Sequence, residues 1–373
     1  MRTSLARTAR EGNLPQSILL HGPEGIGKER FGLWLAQLLV CEHPTGENEP
    51  CGACLSCRLT ERLEHPDVHW FFPLPRPENA ATPEKLREKL EEARGAELQA
   101  RRADPFHLPR HERAPAYFLA AIRALQELAA SRPAMGRRKV FVVGDAEAMV
   151  PQESSPEAAN AFLKLLEEPP ADTTLILTSS TPGALLATIR SRVLPVRLLP
   201  LTGDEVRDFL VHRREVPPAE AERIAALARG AIGRALRLLP SKEGPGLLEK
   251  RRQAGRDLLL AAVADSPAAR LAAAHAEAPA GGRGEFMEGL EALTLWLRDL
   301  MAIASGAPEA VVNAPDGEMM SHLVQRRHIR PLAVGRALER VQAAMELAAG
   351  NVNPQLVLAD LLRGVRAELM EAA

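Results

Sequence analysis

Short apolar runs alternate with helical periods through the first half of the chain. The β-forming runs are SILLHG at 17–22, KVFVVG at 139–144 and TTLILTSS at 173–180. Helical periodicity extends from Lys28 to about Val40, and AANAFLKLLEEPP predicts a helix that ends before Pro169. Continuous apolar strands joined by helices are typical of a parallel sheet buried on both faces, so the predicted fold class is α/β.

Strand signals fade after Leu201. Three short helices follow, and Thr202 with Glu205 three residues later predicts a capping box at the first of them. Beyond Gly244 the chain has the composition of long Ala/Leu-rich helices, at roughly 246–264, 267–277, 285–305, 331–349 and 354–371. We therefore expect an α/β domain over residues 1–201, a small three-helix domain over 202–241 and an all-α domain over 242–373.

A glycine-rich turn follows the first predicted strand and opens the first predicted helix after it. The sequence GPEGIGKE carries Gly22, Gly25, Gly27 and Lys28 at the spacing of a phosphate loop. Backbone N–H groups of such a turn bind phosphates, and the lysine neutralises the outer ones. The motif normally continues with Ser or Thr, whose hydroxyl binds magnesium, but here that residue is Glu29. The turn therefore indicates descent from a nucleotide loop more strongly than it indicates ATP hydrolysis.

The second and third apolar runs end in polar residues. Asp145 follows KVFVVG, and Thr178 closes TTLILT. Because ligands bind at the carboxyl ends of parallel strands, we expect both residues to face one crevice. In ATPases the strand-end aspartate orients magnesium and the next residue is usually a glutamate that activates water, but here that residue is Ala146 and Glu147 comes one position late. The alternative is that Asp145 only caps the turn after its strand.

All four cysteines lie within one short segment. Cys41, Cys51, Cys54 and Cys57 form the pattern C-x9-C-x2-C-x2-C. Four thiolates at this spacing suit a closed tetrahedral zinc site in a reducing compartment, and structural zinc is the predicted cofactor. An iron–sulfur cluster uses similar spacing, but no redox motif accompanies it. A loop of four reduced thiols without metal is the remaining alternative.

Two arginines occupy the turn ATIRSRV that follows the third apolar run. An arginine just past a strand end can bind a phosphate on a neighbouring molecule. Considered alone, Arg190 and Arg192 indicate a surface turn. Their position after LKLLEEPP and TLILTSS favours the phosphate-binding role.

Residues 73–115 interrupt the α/β pattern with prolines and a charge-mixed stretch, EKLREKLEEARGAELQARR. Its balanced signs and few apolar residues predict a solvated helix in a surface insertion. No function for it follows from the sequence.

Composition narrows the class of protein. The chain has 373 residues and a net charge of -1, so no overall basic charge indicates nucleic-acid binding. No apolar run approaches the ~20 residues of a membrane helix, and the N-terminus has no hydrophobic signal core. We therefore expect a cytoplasmic protein that does not enter a membrane.

These motifs together resemble the clamp-loader branch of the AAA+ ATPases. The resemblance covers Leu14 to about Leu239 and depends on the glycine loop, the four-cysteine segment, HPD at 65–67, ANAFLKLLEEPP at 159–170 and SRV at 191–193. NVNPQLVLADLL at 351–362 is a weaker match, to the end of a collar helix.

The resemblance implies a fold and a set of roles. Residues 1–201 would be an AAA+ P-loop domain with an inserted zinc module at 41–57, residues 202–241 a helical lid and residues 242–373 a collar for assembly. Arg192 would be presented to ATP on the adjacent subunit as an arginine finger, and Thr178 would occupy the position called sensor 1. Implied partners are the tau/gamma ATPase and delta subunits of bacterial DNA polymerase III, the sliding clamp and, through the complex, primer-template DNA.

Departures from the pattern predict which type of subunit this is. Glu29, Ala146 and Gly233 replace residues that the ATPase subunits carry, so ATP and magnesium are expected to bind weakly or not at all at Gly22, Gly25, Gly27, Lys28, Asp145 and Thr178. The predicted function is that of a non-hydrolysing subunit that helps load the clamp. The alternatives are a tau/gamma-type ATPase and, from another class, a zinc-dependent DNA-binding module, which the aromatic content of 3% disfavours.

Overall fold

The computed structural model of the chain describes residues 2–45, 49–107, 109, 114–150, 157–240, 244–277, 283–349 and 352–370. The chain forms two compact units, Met1–Pro200 and Leu201–Ala373. The proposed boundary near residue 241, within the second unit, stays a prediction. Residues 108 and 110–113 of the 73–115 insertion lie outside the described residues.

The first unit contains a sheet and its surrounding helices. Its strands are β1 (Ser17–His21), β2 (Val68–Phe71), β3 (Lys139–Val143), β4 (Thr173–Ser179) and β5 (Leu194–Arg197). Its helices are α1 (Arg2–Arg10), α2 (Lys28–Val40), α3 (Leu55–Glu61), α4 (Pro83–Ala103), α5 (Leu119–Ala130), α6 (Glu157–Glu167) and α7 (Ala187–Arg190).

The five strands form one sheet in the order β2-β3-β4-β1-β5, and every pairing is parallel. In the centre, Leu19 of β1 pairs with Leu177 of β4, and Phe141 of β3 with Leu175 of β4. All residues of β3 and β4 are buried, which explains the apolar runs VFVV and LIL at their centres. The predicted parallel α/β sheet is confirmed.

The two edge strands did not stand out in the sequence. β2 reads VHWF, with its first two residues half-buried and its last two buried, and β5 contains Pro195 and is mostly exposed. Proline and polar residues are tolerated at a sheet edge because one side of the strand makes no ladder hydrogen bonds. Such strands lack the apolar run that reveals a central strand.

Each face of the sheet buries its own core. Leu19, Phe141 and Leu175 point to one face and pack with Ile122 of α5 and Phe162 of α6. Alternating strand residues point to the other face, where Ile18, Val142 and Ile176 pack with Leu35 and Ala36 of α2. This alternation is the two-residue period of a strand with both faces covered.

The charged insertion helix is less solvated than its composition predicts. Helix α4 begins at Pro83 after the cap Thr82, whose hydroxyl accepts a hydrogen bond from the Lys85 N–H. Its Leu90 is buried, and Leu98 packs partly against the core on the α2 face. The predicted helix is therefore present, but one of its faces packs against the core and is not solvated.

The second unit is helical throughout its described residues. Its helices are α8 (Gly203–Arg214), α9 (Pro218–Ala228), α10 (Ile232–Leu238), α11 (Leu247–Val263), α12 (Pro267–Ala276), α13 (Arg283–Ala304), α14 (Gly317–Arg327), α15 (Pro331–Ala349) and α16 (Pro354–Met370). The predicted capping box at Thr202 and Glu205 is confirmed, with both reciprocal hydrogen bonds present. Helix α14 was not expected. None of the helices in the described ranges is long and apolar enough to span a bilayer.

Two apolar clusters hold the second unit. The smaller joins α8, α9 and α10 through residues such as Val206, Leu210 and Ile224. The larger joins α11 to α16, and its bulkiest fully buried side chain is Trp296. The Trp296 indole N–H donates to the Arg252 carbonyl at 2.9 Å, so its one polar atom is satisfied inside the core.

Trp296→Ala should destabilise the second unit by about 3–5 kcal/mol, because Trp296 is 1% exposed and its removal leaves a cavity. Urea unfolding followed by far-ultraviolet circular dichroism measures this change. Leu295→Ala is the matched control. The side chain of Leu295, the residue before Trp296, is 38% exposed, so its removal should cost less than about 1 kcal/mol. Equal losses from the two variants would contradict the assignment of Trp296 to the core.

Candidate nucleotide loop and cysteine cluster

The glycine loop lies between the end of β1 and the start of α2. Gly22 leaves the strand where a Cβ would come within 2.5 Å of the Leu198 carbonyl oxygen. Gly27 caps α2 with a φ of 92°, a left-handed conformation that favours glycine. Both glycines are thus required by backbone geometry, whatever the loop binds.

Lys28 is the cation of this loop and is only 6% exposed. Its ammonium donates to the carbonyl oxygens of Gly22 at 3.1 Å and Pro23 at 3.0 Å. A third bond goes to the Ser180 hydroxyl at 2.8 Å, just past β4. Burial lowers the pKa of Lys28, and the nearby carboxylates, Asp145 foremost, act in the opposite direction. All three donors of the ammonium therefore have partners within the chain.

Asp145 and Thr178 lie together at the carboxyl ends of β3 and β4. The Asp145 N–H donates to the Thr178 hydroxyl oxygen at 3.0 Å. Asp145 has a φ of 43°, unusual for a residue with a side chain. Burial, reinforced by the carboxylates of Glu29 and Glu147, raises the pKa of Asp145 to about 6. The site thus concentrates negative charge around one lysine.

The two residues after Asp145 have different positions. Ala146 is fully buried in the core. Glu147 Oε1 accepts hydrogen bonds from the backbone N–H groups of Ser180 at 2.8 Å and Thr181 at 3.3 Å. In this conformation Glu147 holds the loop after β4.

Tyr117 and Ser180 support this sheet edge and Asp67 supports the opposite one, although the sequence did not single them out for it. The Tyr117 hydroxyl donates to the Gly144 carbonyl at 2.6 Å, directly before Asp145. At the amino ends of β2 and β3, Asp67 accepts backbone N–H bonds from residues 134, 135 and 136 at 2.5, 2.7 and 2.9 Å. Two signals were available: Tyr117 is the only tyrosine in the sequence, and Asp67 ends the HPD motif.

Arg192 lies at the surface just after α7. Its guanidinium donates to Glu167 Oε1 at 2.9 Å and to the Thr188 carbonyl at 2.9 Å. Arg190, the other arginine of this turn, is also exposed. The Arg192–Glu167 pair is half solvated, and such pairs are worth roughly 0–1 kcal/mol. The guanidinium can therefore change partners at little cost.

The four cysteines converge as predicted. Their Sγ atoms all lie within 4.8 Å of one another, and Cys51 Sγ is 3.9 Å from Cys57 Sγ. No disulfide joins them. Four thiolates at about 2.3 Å from one zinc ion lie roughly 3.8 Å apart, so this cluster fits such an ion. No other group of three or more metal-binding side chains occurs in the part of the chain that the structure describes.

Local structure fixes each cysteine. Cys41 caps the end of α2, and Cys54 caps the start of α3. The Cys51 N–H donates to Cys41 Sγ at 3.3 Å, and the Cys57 N–H donates to Cys54 Sγ at 3.4 Å. Such backbone donors stabilise thiolates, the form that binds metal. The cluster thus joins the ends of two helices.

The parallel sheet, the glycine loop and the strand-end aspartate define an AAA+-like P-loop domain. The sequence model of the family described as "DNA polymerase III, delta subunit" matches residues 1–202, more than half of the chain. The chain belongs to this family. The resemblance to clamp-loader subunits is thereby confirmed.

Curated relatives agree with this assignment. The chain is 34% identical to the DNA polymerase III subunit delta' of Pseudomonas aeruginosa over 257 residues, which cover 67% of this chain and 63% of that protein. It is 28% identical to the Escherichia coli subunit delta' over 63% of this chain and 57% of that protein. The chain therefore spans less than two thirds of the length of these relatives.

More distant relatives carry other names. The tau subunit of Salmonella typhimurium is 29% identical over 62% of this chain and 29% of that protein. A gamma subunit-related protein from Thermotoga maritima superimposes with a TM-score of 0.40 at 19% identity, covering 98% of this chain and 99% of that one. At so low a score the superposition carries no argument.

The raised pKa of Asp145 predicts a pH-dependent stability. The folded chain holds a proton that the unfolded chain releases between about pH 4 and pH 6, so stability falls as pH rises through this window. Asp145→Asn removes the buried carboxyl whose ionisation lowers stability. The variant should therefore be more stable than the natural chain at pH 7.5 by up to about 3 kcal/mol, with little difference at pH 4. Denaturant unfolding at the two pH values measures the difference.

The matched control is Asp257→Asn, which removes a carboxylate exposed on α11. It should leave the pH dependence unchanged. A pH dependence for Asp145→Asn equal to that of the natural chain would contradict the burial argument.

Proposed function

We propose that this chain is a clamp-loader subunit of DNA polymerase III that does not hydrolyse ATP and lends Arg192 to ATP on a neighbouring subunit. The observation that carries the proposal is the set of residues in the glycine loop and at the carboxyl end of β3. A phosphate-loop lysine is present, but the residue after Asp145 is a buried alanine, Ala146, where ATPases carry a carboxylate. Family membership supplies the assembly in which such a subunit would act.

Loss of hydrolysis follows from the groups that the reaction needs. Water must be activated by a placed base, and magnesium must be held by the loop and the strand aspartate. The nearest carboxylate after Asp145 is Glu147, which binds the backbone of Ser180 and Thr181. Lys28 binds the carbonyls of its own loop. These contacts support a nucleotide site that has lost the groups needed for hydrolysis.

The role of Arg192 is supported by its exposure and its weak local partner. A guanidinium supplied to a neighbour's phosphate has to be accessible and free to leave its resting contacts. Arg192 meets both conditions, since Glu167 is its only charged partner within the described residues and the pair is solvated. Thr178, at the sensor 1 position, accepts a hydrogen bond from the backbone of Asp145.

Structural zinc is proposed for the cysteine cluster. Cys41, Cys51, Cys54 and Cys57 form a set of soft thiol ligands at tetrahedral spacing. Bound zinc would neutralise thiolates that otherwise repel one another and would fix the connection between α2 and α3.

Partners are proposed from the same family. They are the tau/gamma ATPase and delta subunits, the sliding clamp and primer-template DNA reached through the complex. Residues 202–241 would form the lid and 242–373 the collar. Separate apolar clusters in α8–α10 and α11–α16 support that division.

A tau/gamma-type ATPase is the second candidate, favoured by the 29% identity to a tau subunit. Glu29, Ala146 and Gly233 argue against it. A steady-state ATPase assay on the isolated chain decides between them, since the proposed subunit should show no turnover above background.

Arg192→Ala should lower DNA- and clamp-stimulated ATPase of the rebuilt complex at the one site that Arg192 faces, without changing assembly. Fingers supplied by a partner are worth about 10³–10⁵ in rate. Arg192→Lys should not restore activity, because a point charge cannot reproduce the guanidinium fork. Single-turnover ATPase, which resolves the sites, is the measurement.

Arg190→Ala is the control, because Arg190 is exposed on the same turn. It should leave the ATPase rate unchanged. Full activity in the Arg192→Ala complex, or equal losses from both variants, would count against the finger assignment.

Elemental analysis should find one zinc per chain in protein purified without chelator, and Cys54→Ser should lower that content sharply. Amide hydrogen exchange should then rise first in residues 41–57, while α11–α16 stay protected. Ala53→Ser, an exposed change beside the cluster, is the control and should retain zinc. Iron in place of zinc, or no bound metal, would refute the zinc assignment.

A further inference from the structure

The inserted helix α4 places one arginine against the glycine loop. Arg101, two residues before the end of α4, is only 8% exposed. Its Nη1 lies 3.3 Å from Glu29 Oε2, in the first turn of α2. Its Nε donates to Glu97 Oε1 at 2.8 Å. A residue from the insertion is thereby paired with the one loop residue that departs from the ATPase motif.

Aromatic rings fix the position of this guanidinium. The Arg101 Cζ lies 4.2 Å from the ring centroid of Trp70 and 4.3 Å from that of Phe72. Both rings belong to the β2 edge of the sheet or its immediate extension. Cation–π contacts of this kind strengthen when they are desolvated, as here. Two rings and two carboxylates therefore hold Arg101 in place.

Glu29 is confined between Arg101 and the end of β3. A Cβ built on Gly144 would come within 1.8 Å of Glu29 Oε1, so the carboxylate lies directly against that glycine's backbone. The next residue, Arg30, donates to the Pro105 carbonyl beyond α4. Two consecutive residues of α2 thus bind the C-terminal end of the insertion.

These residues do not fit magnesium–nucleotide. The ATPase motif provides a hydroxyl here, and magnesium then takes an octahedral set of oxygens that includes the phosphates. Glu29 instead presents a carboxylate that is already paired with a guanidinium. The pair carries no net charge, whereas magnesium bound to a hydroxyl carries two positive charges. A triphosphate without metal would meet Asp145 and Glu147 beside Lys28.

We propose that Arg101 is a second cation beside the glycine loop, in addition to Lys28, and that its pair with Glu29 closes the loop to magnesium–nucleotide. The insertion then has a function, which is to supply this cation from α4. The inference deepens the proposed function and rests on it, since it names what keeps this subunit without nucleotide.

The test is the change in Tm of the full chain with ATP and magnesium, compared with ATP and EDTA. The natural chain should change by less than about 1 °C in both conditions. Glu29→Thr/Arg101→Met restores the motif hydroxyl and replaces the guanidinium by an apolar side chain of similar length between the two rings. The Tm of this double variant should rise by about 3 °C or more with ATP and magnesium, and should not rise with ATP and EDTA.

Two further variants isolate the role of Arg101. Glu29→Thr alone keeps the Arg101 guanidinium in place, and its Tm should change little with ATP and magnesium. Glu29→Thr/Arg94→Met is the matched control, because Arg94 also lies over a ring, Phe71 at 4.8 Å, but pairs with Glu91 instead of Glu29. It should behave like Glu29→Thr. If the first double variant does not fold, Glu29→Thr/Arg101→Gln keeps a polar group for Glu97 and carries the same expectation.

Three results would overturn the inference. They are a magnesium-dependent rise in the Tm of the natural chain, no such rise in the Tm of a folded double variant, and a rise in the Tm of Glu29→Thr alone that equals that of the double variant. Failure of the proposed function is separate. Binding of magnesium–ATP by the natural chain without hydrolysis would contradict the role of Arg101 but would leave the proposal of a non-hydrolysing subunit intact. ATP turnover by the isolated natural chain would contradict the proposal of a non-hydrolysing subunit.

Discussion

Parallel pairing of β1, β4 and β3 is the constraint on which the rest of the first unit depends. Parallel strands end at the same edge, so the pairing brings the glycine loop after β1, Asp145 after β3 and Ser180 after β4 into contact. Burial of both sheet faces fixes the register, because a slip of one residue would move each core side chain to the opposite face. The position of Lys28 follows from this register.

Charge then decides what such an edge can do. An ATPase edge balances phosphates with magnesium and lysine, and it keeps a carboxylate free to activate water. Here Glu29 pairs with Arg101, Glu147 holds a backbone loop and Lys28 donates into its own turn. The same fold therefore accommodates residues whose charged groups bind other groups of the chain. Arg192, on the surface, pairs with the half-solvated carboxylate of Glu167.

The sequence predicted features whose residues are close in the chain or follow a simple period. The central strands, the capping box at Thr202 and the convergence of the four cysteines all arise from local patterns. Contacts that depend on distant segments were missed. Arg101 meets Glu29 across 72 residues, and nothing in a balanced charge run marks which arginine will be buried. The edge strands were missed because β2 is short and contains His69, and because β5 contains Pro195 and is mostly exposed.

The proposed subunit contributes to hydrolysis only through Arg192, from outside the site that hydrolyses ATP. Lys28→Ala tests this proposal, in a complex rebuilt with the proposed partners and stimulated by clamp and primed DNA. We expect the ATPase rate to stay within about twofold of that of the natural complex, since a loop lysine matters only where phosphate is transferred. A loss of tenfold or more, with assembly intact, would mean that this chain hydrolyses ATP itself.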